Sequence, residues 1–324
     1  MAWRIGGHAL QLARWRRQLR RQQRHDIEAR PSARPYRLAD AGMTLLRAAG
    51  GNFPEIWCRC DERPHGHLSI SAHAHAHAHA DALSVEIRYA GVDILADLGT
   101  YCCHAEPAWR SYFRSTITHA TAEFSGRNES GEGSPSPWPR HARAGEIEVI
   151  DDGDIASWSA EHDGYASLNP STLHRRSVLL DRASRSIDII DVIDDGGGHS
   201  IRLAFHLGSD VQAELQDACA VLSWPAASVP GVARLELPPG LRWSLHRGET
   251  DPGLGWYAPG LGRRGPGCTL LGRGRCLPGM PLSTRLEFLD VGRLAKSAVS
   301  RQALSWITSV ALPDEAPDIR AEVR

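Results

Sequence analysis

From about residue 36 onward, apolar and polar residues alternate with a period of two. That repeat turns successive side chains to opposite faces of a half-buried strand. The run LSVEIRYA (83–90) alternates, Ala90 and Gly91 form a tight turn, and VDILADLG runs back, which predicts a hairpin. GEIEVIDDGDIASWSAEH (145–162) predicts a second hairpin around Asp152 and Gly153, and RRSVLLDRASRSIDIIDVID (175–194) a third around its central polar residues. SIRLAFHL, ARLELP and TRLEFLD read as single alternating runs, and no long amphipathic helix is predicted between 40 and 290. The stretch from Asp251 to Pro281, rich in glycine and proline, reads as a loop region whose glycines form no phosphate-binding pattern. Many short strands with Gly, Asp and Asn turns predict an all-β fold, a large antiparallel β-sandwich over 36–290. Residues 1–35 read as a short basic helix, with arginines at 14, 16, 17, 20, 21 and 24, and residues 291–324 as a C-terminal tail.

At 324 residues and 42% hydrophobic content the chain can bury a real core. Its 37 basic and 38 acidic residues give a formal charge of −1, so no long-range field favours nucleic acid or an anionic membrane. The arginine-rich start alone does not change this, since no basic stripe with interleaved aromatics follows it. No apolar run reaches the roughly 18 to 20 residues of a membrane span. The N-terminus places its basic residues after a short mixed segment, the wrong order for a secretory signal. Seven cysteines, irregularly spaced, predict packed thiols instead of a disulfide framework.

Chemistry concentrates in SAHAHAHAHADALSVEIRYAGVDILADLGTY (71–101). On a strand, His73, His75, His77 and His79 form one imidazole row, a pattern that low-complexity repetition also produces. Its context adds meaning: Asp81 follows His79, Asp97 lies on the return strand of the hairpin, and His119 stands in RSYFRSTITHATAEF. Two imidazoles and a carboxylate, with water in the fourth place, make a tetrahedral zinc set. His141, His162, His174, His199, His206 and His246 lack such company and read as surface or hydrogen-bonded core residues.

The spacing HxHxD, then DxGTY, then WRxYFRSTxxH, resembles the C-terminal β-sandwich of heparinase II/III-like polysaccharide lyases, a group that includes alginate lyases. RHARA (140–144), WSAEHDGY (158–165), RLAFHLG (202–208) and HRGETDPGLGWYAP (246–259) extend the likeness over about residues 36–290.

The resemblance implies a structural Zn2+ held by His79, Asp97 and His119. It implies catalytic roles for His77, facing the sugar carboxylate or the proton, and for Tyr112, with Tyr101 the weaker choice. Arg110 and Arg114 either add charge near the cleft or serve as surface ion partners on a loop. The implied reaction is β-elimination on a uronic-acid-containing polysaccharide of heparin, heparan sulfate or alginate type. The C5 proton is acidic enough to leave only when the adjacent carboxylate is neutralised, which suits cationic and proton-donating side chains. The expected partner is an acidic polysaccharide, with a homo-oligomer left open; nucleic acid and a membrane span are not expected. Full enzymes of the family carry an α/α toroid before the sandwich, for which about 35 residues stand here. A toroid from another polypeptide or from an upstream reading frame, or a non-catalytic carbohydrate- or partner-binding remnant, are the two readings that follow.

Overall fold

The computed structural model describes residues 35–50, 53–62, 79–102, 106–130, 142–195, 198–225, 231–275 and 277–289. The basic N-terminal segment, the C-terminal tail and His73, His75 and His77 lie outside the described residues, as do His141, Cys103 and Cys276.

Strands dominate. β1 (Tyr36–Leu38), β2 (Met43–Gly50), β3 (Phe53–Asp61), β4 (Val85–Tyr89) and β5 (Val92–Leu95) pair in that order as a five-stranded antiparallel sheet. The β4–β5 hairpin turns at Ala90 and Gly91, both at positive φ (51° and 83°), as the alternation predicts. After the short helix α1 (Pro107–Arg114) come β6 (Ala122–Phe124), β7 (Ala144–Asp151), β8 (Ile155–His162), β9 (Thr172–Asp181) and β10 (Ser186–Asp195). Next are β11 (Ser200–His206), β12 (Gln212–Gln216), β13 (Cys219–Trp224), β14 (Gly231–Glu236) and β15 (Arg242–Arg247). β16 (Glu249–Thr250), β17 (Gly253–Leu254), β18 (Trp256–Gly260), β19 (Arg263–Pro266), β20 (Cys268–Arg275) and β21 (Pro281–Leu289) complete the order.

The largest sheet runs β12-β13-β14-β21-β10-β9-β8-β7 and a four-stranded one runs β15-β20-β11-β6. Both predicted hairpins in the large sheet form, β9–β10 in continuous register and β7–β8 with a register shift between Gly145 and Glu148. Facing inward from these two sheets, Trp158, Val178, Ile189, Leu203, Phe205 and Leu270 share one core, each fully buried. Burying side chains of this size stabilises the fold by about 1.5–3 kcal/mol apiece before entropy is charged. A second, smaller cluster joins α1 to the β17–β18 region: Leu98, Tyr101, Phe113 and Ala258, with Trp109, Tyr112 and Trp256 against them.

The reading of 251–281 as a loop region is corrected here, because β17 to β20 lie within it. Gly272 and Gly274 of β20 sit where a Cβ would lie 2.7 Å from the Trp243 ring and 2.6 Å from Leu241. Those glycines serve close packing inside a strand, and turns do not require them. Cys58, Cys60 and Cys268 are buried free thiols, and Cys102 and Cys219 are half-buried ones.

Candidate functional site

Three loop segments converge beside α1. Residues 79–84 are clamped at each end: Ala80 N–H donates to Arg114 O at 3.0 Å, and Ala82 N–H to Glu129 Oε1 at 2.6 Å. Residues 115–121 follow α1 through a 3-10 turn, Thr116–Thr118, fixed by Ser115 and Thr118 hydroxyls donating to carbonyls of Tyr112 and Ser115 at 2.7 Å each. The third segment, 96–101, leaves β5 and is held by Ala96 N–H to His206 O, 2.9 Å, and by Ala258 N–H to Leu98 O, 2.8 Å. Gly99 takes φ +76°, and a Cβ there would meet Ala258 O at 2.4 Å, so the turn is closed to other residues.

His79, Asp97 and His119 meet where these segments join. His79 Nδ1 lies 3.2 Å from His119 Nε2, and His119 Nδ1 donates to Asp97 Oδ2 at 2.6 Å. Asp97 Oδ1 accepts from Gly99 N–H at 2.7 Å, and His79 Nε2 bonds the Thr100 hydroxyl at 3.0 Å. His119 is fully buried while the Asp97 carboxylate is 31% exposed, so the chain opens toward solvent at one end. Burial lowers the His79 pKa to about 4, and the neighbouring His119 adds to it. Asp97 stays well below the usual carboxylate range: burial opposes this, but His119 and then Gly99 N–H outweigh it. Asp97 lies two residues past the end of β5, and His79 in a coil, so neither stands on the strand that the alternation predicts.

Can this set hold a metal? Two nitrogens bound to one tetrahedral zinc lie roughly 3.3 Å apart, close to the 3.2 Å separation of the facing ring nitrogens. With the His79 Nε2 proton given to Thr100, both facing nitrogens are lone pairs, and a cation between them removes their repulsion. Asp97 meets the far nitrogen of His119, the place of a carboxylate that orients a metal-binding imidazole. Among the described residues no three His, Cys, Asp or Glu side chains surround one point as a ready set. The donors therefore fit as two imidazoles with Asp97 behind them.

The remaining expected residues divide. Tyr112 stands on α1 with its ring against Trp109 and Phe113, and its buried hydroxyl faces the backbone N–H groups of Gly255 and Trp256 without a well-formed hydrogen bond. Burial lifts its pKa to about 12. Tyr101 donates its hydroxyl to Glu106. Arg110 and Arg114 lie on a helix, and Arg114 is buried, which corrects their reading as surface partners on a loop.

His162, His174 and His206 are hydrogen-bonded core residues, one of the two readings expected for them. His206 donates or accepts through Nδ1 to Thr269 Oγ1 at 2.9 Å, and its other nitrogen is buried near the carbonyls of Ile117 and His119. Burial and then His119 lower its pKa to about 3. In the large sheet, His162 Nε2 donates to His174 Nδ1 at 3.1 Å, and His174 Nε2 to Asp191 Oδ1 at 2.7 Å. Arg176 grips Asp191 with two bonds of 2.7 and 3.1 Å and reaches the carbonyls of Leu83, at 2.7 Å, and Ala120. This group holds the two histidine-bearing loops from behind. Its signal was present in LHRRSVLL, where period two puts His174 and Arg176 on the face of Val178 and Leu180.

The family model "Heparinase II/III-like, C-terminal" matches residues 31–274. The chain belongs to that family. Among solved structures, heparan sulfate lyase HepC from Pedobacter heparinus is similar over 87% of this chain and 42% of its own, at 14% identity and a TM-score of 0.61. A heparinase III gene product matches over 80% of this chain and 36% of its own, at 15% identity and a TM-score of 0.60. A second heparinase III crystal structure covers 77% of this chain and 35% of its own, at 16% identity and a TM-score of 0.58. These likenesses show the shared β-sandwich fold, and the chain spans about two fifths of the length of these neighbours or less. No curated protein sequence matches the chain.

Proposed function

We propose that the chain is the sandwich domain of a lyase that cleaves a uronic-acid-containing polysaccharide, of heparin, heparan sulfate or alginate type, by β-elimination. The observation that carries this reading is the convergence of His79, Asp97 and His119 within a chain of the heparinase II/III-like family. His79 and His119 would hold Zn2+, with Asp97 fixing the His119 ring. A bound zinc would supply charge and a cross-link between the 79–84, 96–101 and 115–121 segments.

The chain's own residues do the rest. Loops tied together at these points would keep a cleft wall in shape. His77 and Tyr112 are assigned to proton handling. The Tyr112 phenol, protonated near neutrality, would donate toward the leaving oxygen or the uronate carboxylate, which requires its buried hydroxyl to turn away from the Gly255–Trp256 backbone. Elimination then needs a base for the C5 proton, and an imidazole, a side-chain type that titrates near neutrality, suits that role; it is assigned to His77.

Incubation with alginate, heparin, heparan sulfate and hyaluronan, followed by ultraviolet absorbance of the unsaturated uronic end, tests the reading. A rise with one substrate, lost in His77→Ala and at least tenfold slower in Tyr112→Phe, is the expected result. The second reading, a carbohydrate-binding module without catalysis, is favoured by the Tyr112 hydroxyl lying against the Gly255–Trp256 backbone. Binding without any absorbance change would select it.

A further inference from the structure

The four-stranded sheet has a second face. In its register Arg242 lies directly opposite Arg273, Arg273 opposite Arg202, and Arg202 opposite Glu123. Directly opposite residues share a face, so three guanidinium side chains stand in one cross-strand row. Arg275, two positions from Arg273, extends it. The adjacent positions Trp243 and Leu203 turn into the core, which fixes the row on the outer face.

Arg242, Arg273 and Arg275 are exposed. Arg202 is held by Glu123 through two bonds of 2.7 and 2.6 Å, and Glu123 is the sole carboxylate among the strand positions described on this face. Among the described residues Arg273 reaches the Ser244 hydroxyl, at 3.3 Å, and Arg275 the Gly198 carbonyl, at 2.8 Å, and neither contact neutralises charge. Like charges directly opposite each other weaken strand pairing. A sheet that keeps two such contacts in one row breaks a local rule of stability, as functional surfaces do.

The row also shares its face with the candidate site. His206 lies on β11 four residues from Arg202, about 13 Å along the strand, and its ring adjoins His119 and Asp97. From Arg242 to Arg202 the row spans two strand spacings, about 10 Å. We propose that this arginine row binds a linear polysaccharide bearing sulfate or carboxylate groups, as an auxiliary subsite outside the His79–His119 centre. The proposal rests on the polysaccharide reading above and adds to it where the chain of sugars runs. An electrostatic row with no aromatic ring interleaved suits a sulfated or carboxylated sugar better than single-stranded nucleic acid, whose bases stack.

The test uses the full chain and a size-defined heparin oligosaccharide, with neutral dextran and double-stranded DNA as comparison ligands, titrated at low and high salt. Expected are salt-sensitive binding to the oligosaccharide, none to dextran, and weaker binding to DNA. In Arg242→Ala/Arg273→Ala/Arg275→Ala affinity should fall about 30-fold, roughly threefold for each exposed charge. Arg234→Ala, an exposed arginine of the large sheet, should bind as wild type, and the triple variant should melt no lower than wild type, since it relieves the like-charge contacts of the row. Wild-type affinity in the triple variant, no oligosaccharide binding by the wild type, or equal affinity for DNA would each overturn the proposal. The two readings fail separately. Product formed with affinity unchanged in the triple variant rejects the arginine row alone, and binding lost in that variant without any product rejects the lyase reading alone.

Discussion

Among the described residues two imidazole pairs end on an aspartate, and they differ in what closes them. In the large sheet, His162, His174 and Asp191 are fully buried, and the carboxylate is met by Arg176. At the loop junction, His79, His119 and Asp97 are arranged alike, but Asp97 is part-exposed and takes Gly99 N–H where Asp191 takes a guanidinium. In the buried set every facing nitrogen has a fixed role: Gly164 N–H donates to His162 Nδ1 at 3.2 Å, and the protons run in one direction to Asp191. In the loop set a single proton or a single cation must sit between the facing nitrogens. The same three residue types brace a core in one place and, on the proposed reading, hold an ion in the other. What decides is the neighbouring charge and the access of solvent.

The largest effect that separates the two sets should come from Arg176→Met. Removing one partner of a buried ion pair costs about 3–5 kcal/mol, because Asp191 is left uncompensated and the Leu83 and Ala120 carbonyls lose their donor. Denaturant midpoints should show this loss. An unchanged midpoint would mean that the network does not brace the loops.

Acid should act next, in two windows. Burial, aided in each case by a neighbouring charge, holds the pKa values of His79, His162 and His206 below the usual histidine value. The unfolded chain thus takes up protons that the folded one refuses, and stability should fall as pH drops from about 6.5 toward 4. Asp191 titrates lower: burial raises its pKa, but Arg176 and His174 overcome this and bring it to about 2. Its contribution is present above about pH 4 and is lost as pH falls toward 2, a change on the order of 2 kcal/mol. Melting curves across pH should show both limbs, with His206→Gln flattening the first and Asp191→Asn the second.

For the loop set, His119→Gln should cost about 1–2 kcal/mol in metal-free protein, less than Arg176→Met, and should abolish a cobalt(II) ligand-field spectrum. Retention of that spectrum would separate the two facing imidazoles from metal binding. The smallest effect is expected for Thr100→Val, which removes one hydroxyl from the open end and should cost about 0.5–1.5 kcal/mol. A larger loss would show that the loop set is as tightly closed as the buried one.

Much of this was legible before any coordinates. Period two placed the β4–β5, β7–β8 and β9–β10 hairpins, because strand alternation and turn residues are local properties. The same logic failed over 251–281, where Gly272 and Gly274 read as breakers although they make room for Trp243 on the neighbouring strand and for Leu241 just before it. A glycine's neighbour across a sheet is invisible in one dimension. For the same reason the partners of His206 and His174 could not be read, since they stand on other strands: Thr269 lies 63 residues from His206, and Asp191 lies 17 from His174.

By itself, then, the order of amino acids determined the strand pattern, the turns and the motif HxHxD, DxGTY and WRxYFRSTxxH. Only the tertiary structure decided which histidines meet which carboxylate, that Arg176 closes one set and not the other, and that Arg202, Arg242 and Arg273 stand in one row. Register and loop packing join residues far apart along the chain, and those contacts depend on the whole sheet, not on any local run of sequence.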